Sequence, residues 1–154
     1  MSLLSRYRKS GGFAQLVQLI ESCDATKRAE ILALVGVEDP GWAVLARKKI
    51  LTTEKIFSWP MDVLLEVMTR VPDRTLALVI HTLKEEKREP IFSIIPHIRS
   101  RNIRSFYDEK VPSHAEQHAA SIKVFKLVRD LETEGLLKIS VIDPDLDLRD
   151  KLIA

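Results

Sequence analysis

Between Gly11 and Trp42 the chain reads GGFAQLVQLIESCDATKRAEILALVGVEDPGW, and its apolar positions recur with a helical period. Phe13, Leu16, Val17 and Ile20 fall at i, i+3, i+4 and i+7, on one face of a helix. Asp24 is placed to cap a second helix, in which Arg28, Ile31, Leu32 and Val35 repeat the spacing with one polar edge. Gly36 is expected to stop it. Asp39-Pro40 opens a third, with a capping carboxylate followed by a proline whose missing N–H costs nothing there. Trp42, Leu45 and Ala46 give that helix its inner face.

The same period continues after a junction, ILTTEKIFSWP. Pro60 biases Trp59 away from helical geometry. Beyond it, Leu64, Val67, Met68 and Val71 predict one helix, and Leu76, Val79, Ile80 and Leu83 another. Ile91, Phe92 and Ile95 predict a short apolar helix closed by Pro96, and residues 97–109 a further one, with Ile98, Ile103 and Phe106 turned inward. Ser113 and Glu116 form a capping box at the head of the longest helix, which carries Val124, Leu127, Val128 and Leu131 and ends near Gly135. Residues 136–143 read as a short extended piece, and the segment after them as an acidic, mobile tail. The expected fold is all-α, built from stacked helical hairpins.

Composition fits this picture. The 154 residues are 45% hydrophobic and 30% charged, the balance of a globular chain able to bury a core. The net charge of +2 gives no electrostatic reason to expect nucleic acid or an anionic membrane. Cys23 is the single cysteine, so no internal disulfide is possible. No segment reads as a signal peptide or a membrane span, and a cytoplasmic location is expected.

Reactive chemistry is sparse. His114 and His118 stand at i, i+4 in HAEQH, but the zinc-peptidase pattern needs a glutamate where Ala115 stands, and Glu116 is the capping-box partner. A small metal-dependent enzyme built on this pair is the weakest of the functional readings. Cys23 reads as a packing residue, and Gly11-Gly12 as a flexible joint without the features of a phosphate loop. Neither a catalytic centre nor a cofactor or metal site is expected. The clearest charge feature is PHIRSRNIRSFYDEK, where His97, Arg101 and Arg104 form one basic stripe and Arg99 points elsewhere. Such a stripe is either a solubilising surface or a docking ridge for an acidic partner.

The order of these elements resembles a known family. Gly11-Gly12 before an amphipathic helix, then EDPGWAVLARKKI, a junction, DVLLEVMTRVPDRTLALVIHTLKEEKREPIF and a closing VRDLETEGLLKI are similar to the C-terminal half of the flagellar motor switch protein FliG. The resemblance implies an armadillo-like helical module over residues 11–49, after a lead at 1–10. It implies a hinge at 50–60, a FliG C-terminal-type helical module over 61–139, and the acidic tail at 140–154. It implies partners of the FliM type for the first module, which also stacks on its neighbour through an apolar face (Phe13, Leu16, Val17, Ile20, Ile31, Leu32). For the second module it implies a charged ridge that meets the cytoplasmic loop of the stator.

Departures accompany the resemblance. The family's aromatic hinge motif falls on Ile50, Leu51, Thr52 and Thr53. Its ridge lysine falls on His81, its ridge arginine at about Ile98, its aspartate pair at about Ser105 and Phe106, and its last arginine near Ser113, whereas Arg104 matches. The implied partner-binding ridge is therefore His81, His97, Arg101 and Arg104. The family's membrane-ring domain and middle-domain motif have no counterpart in this sequence. A non-enzymatic, divergent or accessory rotor subunit is the expected role. An adaptor that kept the fold outside the flagellum is the alternative.

Overall fold

A computed structural model describes residues 2–148 and divides the chain into two compact units. The described residues contain ten α-helices, two 3-10 turns and no strand. The first unit comprises residues up to Leu51 together with the segment from Lys138 onward; the second runs from Thr52 to Leu137.

In the first unit a 3-10 turn, Leu4–Tyr7, precedes α1 (Gly12–Glu21), α2 (Ala25–Glu38) and α3 (Pro40–Lys49). Asp24 and Asp39 cap α2 and α3, accepting from the N–H groups of Lys27 and Trp42. Gly36 does not end α2, which runs on to Glu38. A glycine inside a helix costs only about 1 kcal/mol, and the packing of α2 on α3 outweighs it. The stop comes at Asp39-Pro40, where the chain leaves helical geometry with ψ 93°. Gly11-Gly12 is a fixed turn: Gly11 has φ 75°, the Gly12 N–H donates to the Lys9 carbonyl at 2.9 Å, and a Cβ on Gly12 would lie 1.9 Å from the Tyr7 carbonyl oxygen.

Residues 139–142 form a helical turn, α10 (Ile139–Ile142), where an extended piece was expected. A 3-10 turn, Pro144–Leu146, follows, capped by Asp143. Ile139 and Leu146 are fully buried, so this part of the acidic stretch is packed structure. Two apolar side chains among the aspartates supply enough burial to order it. Residues 149–154 lie outside the described residues.

The second unit holds α4 (Thr53–Phe57), α5 (Met61–Thr69), α6 (Asp73–Ile80), α7 (Glu85–Ile94), α8 (His97–Glu109) and α9 (His114–Thr133). The short α6 is its centre, packed on both α8 and α9, with Leu76, Ala77, Val79 and Ile80 buried. α7 begins earlier than expected and runs through Pro90. At the sixth helical position a proline removes a single backbone bond, and the burial of Ile91 and Phe92, the next two residues, holds the helix. The capping box of Ser113 and Glu116 is formed. α9 closes in a Schellman motif, with Gly135 at φ 77° and the Leu136 N–H returning to the Leu131 carbonyl at 3.0 Å.

Candidate partner-binding surfaces

α8 carries most of the expected ridge, and Arg99 fixes where it lies. Its Nε donates to Asp73 Oδ1 at 2.7 Å, its Nη1 to the Met68 carbonyl at 2.6 Å, and its Nη2 to the Val71 carbonyl. One guanidinium thus joins the first turn of α8 to the corner between α5 and α6. Helical spacing turns this arginine away from the stripe but gives no sign that it meets two carbonyls and a carboxylate. With Arg99 turned in, His97 and Arg101 face solvent. Ile98 was expected to be inward, yet it is 79% exposed. Ile103 supplies the buried contact of α8 instead, and Phe106 is half-buried beneath the Arg74 guanidinium.

Arg104 differs from its two neighbours on the stripe. Both its Nη atoms donate to Glu89, at 2.9 and 3.0 Å, and its guanidinium lies 4.0 Å from the centre of the Phe92 ring. That bonding holds the Glu89 carboxyl below the usual carboxylate range and raises Arg104 further. The charge of Arg104 is therefore matched within the unit.

His81 is also engaged internally. It stands at the end of α6, its ring stacked on Tyr107 at 4.0 Å, with Nε2 donating to the Tyr107 carbonyl at 3.0 Å. Ser105 is exposed, and Ser113 is committed to the cap of α9. His114 is exposed and His118 half-buried. Among the described residues no three histidine, cysteine or carboxylate side chains converge closely enough to hold a metal ion.

In the first unit, Phe13, Leu16, Val17, Ile20, Ile31 and Leu32 are all buried in the unit's own core. These side chains are not open to a partner, because Leu4 of the leading turn and helices α2 and α3 cover them. Apolar residues of this unit that do reach solvent lie off that face: Leu34 (57% exposed) and Val37 (85%) on α2, Val44 (54%) on α3, with Leu19 on α1 and Val141 on α10. Cys23 packs at the edge of the core, its thiol 3.3 Å from the Leu19 carbonyl.

The four residues at the hinge motif divide between the units. Ile50 and Leu51 are buried in the first, where the Leu51 N–H donates to the buried Glu21 carboxylate at 2.6 Å. Thr52 caps α4 in the second, and the Thr82 hydroxyl meets that of Thr53 at 3.2 Å.

A family model described as the FliG C-terminal domain matches residues 35–139, about two thirds of the chain. The chain belongs to the FliG family. The match begins inside α2, takes in α3 and the whole of the second unit, and ends at the start of α10. A comparison with individually curated proteins found no match. The family is a structural one of the motor switch, not an enzyme family, and the helical architecture agrees with it. Within this FliG-type chain no described helix is long and apolar enough to cross a membrane.

Proposed function

We propose that this FliG-type chain is a protein–protein interaction subunit of the flagellar rotor that has given up the alternating-charge ridge of its family. The family match over residues 35–139 supports the rotor role, and the state of the ridge positions supports the loss of alternation. His81 is stacked beneath α8, Arg104 is matched by Glu89, and Ile98 stands exposed beside His97 and Arg101. What remains outward is one apolar side chain between two basic ones. Such a surface suits an acidic segment with an apolar anchor, and it cannot alternate attraction with both signs of charge.

The role is that of an accessory or modulating subunit located at the cytoplasmic face of the basal body. FliM-type proteins and the stator's cytoplasmic loop are its candidate partners. The first unit is the armadillo-like module of this scheme, with Leu34, Val37 and Val44 as its outward apolar contact for switch proteins or for another copy. The hinge lies at residues 50–60, around the boundary between Leu51 and Thr52. An adaptor role outside the flagellum remains the second reading; the lost ridge alternation favours it.

Calorimetric titration of the purified chain against the stator loop and a FliM-type protein tests the proposal. We expect binding to one of them that weakens with salt and falls at least tenfold in the double variant Arg101→Glu, Ile98→Asp. Binding that ignores both substitutions would remove the surface from consideration.

A further inference from the structure

The second unit holds seven arginines. Arg70, Arg74, Arg99, Arg104 and Arg129 each lie within 4.0 Å of a carboxylate, and Arg101 is exposed to solvent. Arg88 is the exception. It is half-buried, yet every acceptor it reaches is neutral: the Leu83 carbonyl from Nε (3.0 Å), the Tyr107 hydroxyl from Nη1 (3.0 Å) and the His81 carbonyl from Nη2 (2.9 Å). These bonds fix the guanidinium plane. They leave one N–H on each Nη without an acceptor, because a guanidinium has five donors and three are used. A half-buried cation with no carboxylate in hydrogen-bond reach is costly, and an anion bound to it would offset that cost.

Arg88, on α7, lines a cleft of about 590 Å³ bounded by His81 just past the end of α6, the last turn of α8 and the start of α9, a size that accepts a small ligand. Lys110 and His114 stand on its rim, and the stacked rings of His81 and Tyr107 form part of its wall. Lys110 has Glu116 at 3.6 Å, an exposed pair that a ligand can replace. Asp108 is the one acid on the lining, and its charge also raises the pKa of Arg104.

We propose that this cleft binds a small phosphate-bearing molecule, with Arg88 as its fixed anchor. Donors from a guanidinium, an ammonium and an imidazole come from three separate chain positions. That suits a tetrahedral dianion better than a planar carboxylate, which one guanidinium fork can satisfy alone. The cleft shares His81 with the expected ridge positions, but none of the outward residues His97, Ile98 and Arg101 lines it.

The test is nuclear magnetic resonance on the ¹⁵N-labelled full chain, titrated at constant ionic strength with inorganic phosphate, pyrophosphate and, separately, acetate. We expect saturable shifts confined to the Arg88 Nε–H and residues 107–117, stronger for pyrophosphate than for phosphate and absent with acetate. Arg88→Lys should weaken binding at least tenfold. Lys110→Ala and His114→Ala alter exposed side chains that the fold does not need, and each should weaken it about threefold, so the proposal stays testable if Arg88→Lys does not fold. Shifts that never saturate, that spread over the surface lysines, that acetate reproduces, or that neither rim variant changes would overturn it.

Discussion

At the scale of single residues, the arginines of α8 separate structure from surface. Arg99 is three-quarters buried and bonds to two carbonyls and a carboxylate, so Arg99→Ala removes three charged hydrogen bonds at this corner, although the Met68 carbonyl keeps the Val71 N–H. Charged hydrogen bonds of this kind contribute about 1.5–3 kcal/mol. We expect Arg99→Ala to cost about 2–3 kcal/mol in denaturant unfolding monitored by circular dichroism. Arg104→Ala removes an ion pair that solvent largely screens, and its loss should be clearly smaller in the same assay. Equal losses from the two would mean that the Arg99 junction does not organise the unit. The stripe of His97, Arg101 and Arg104 was legible from spacing, because a helical period fixes which residues share a face. Its internal pairing was not: Glu89 lies 15 positions from Arg104, and only the tertiary fold brings them together.

At the scale of elements, the leading turn shows how local and distant signals combine. The Glu38 carboxylate accepts from the Leu3 and Leu4 N–H groups, at 2.7 and 2.9 Å, and from the Ser2 hydroxyl at 3.0 Å. Beside it, Arg8 bonds to Asp39 at 2.7 Å and lies over the Trp42 ring. The backbone bond from Leu4 leads the causes that lower the Glu38 pKa, and the bond from Arg8 leads for Asp39. A lowered carboxyl pKa stabilises the folded form above the ordinary carboxylate range, and the stabilisation is lost as pH falls through the folded value. The turn should therefore loosen in acid before the helices unfold. Glu38→Gln should loosen it at neutral pH, seen as faster amide exchange at Leu3 and Leu4 with α1–α3 unchanged. Unchanged exchange would show that Leu4 burial alone holds the turn.

Helix existence was readable along most of the chain, since the 3.6 period and the caps at Asp24, Asp39 and Ser113 are local signals. The ends were less so. Gly36 and Pro90 both sit inside helices, held there by packing that no local signal reports. The same limit applies to Leu146, whose burial ordered part of a stretch that reads as a solvated tail.

At the scale of the whole chain, each unit keeps its own core, and membership of the FliG family rests on a match that runs through both. Residues expected to offer an apolar face to partners are the interior of the first unit, because a periodic apolar stripe marks burial without naming what buries it. The outward apolar residues Leu34, Val37 and Val44 lie off that stripe. Under the proposed function this chain works among motor proteins through a surface on which the family's alternating charges are absent. Affinity capture of the tagged chain from its own host at moderate salt tests it most directly. Recovery of a FliM-type protein or a stator component, reduced in the double variant Arg101→Glu, Ile98→Asp, is the result we predict. Recovery of an unrelated partner with no motor protein would contradict the claim and leave the fold inherited without its task.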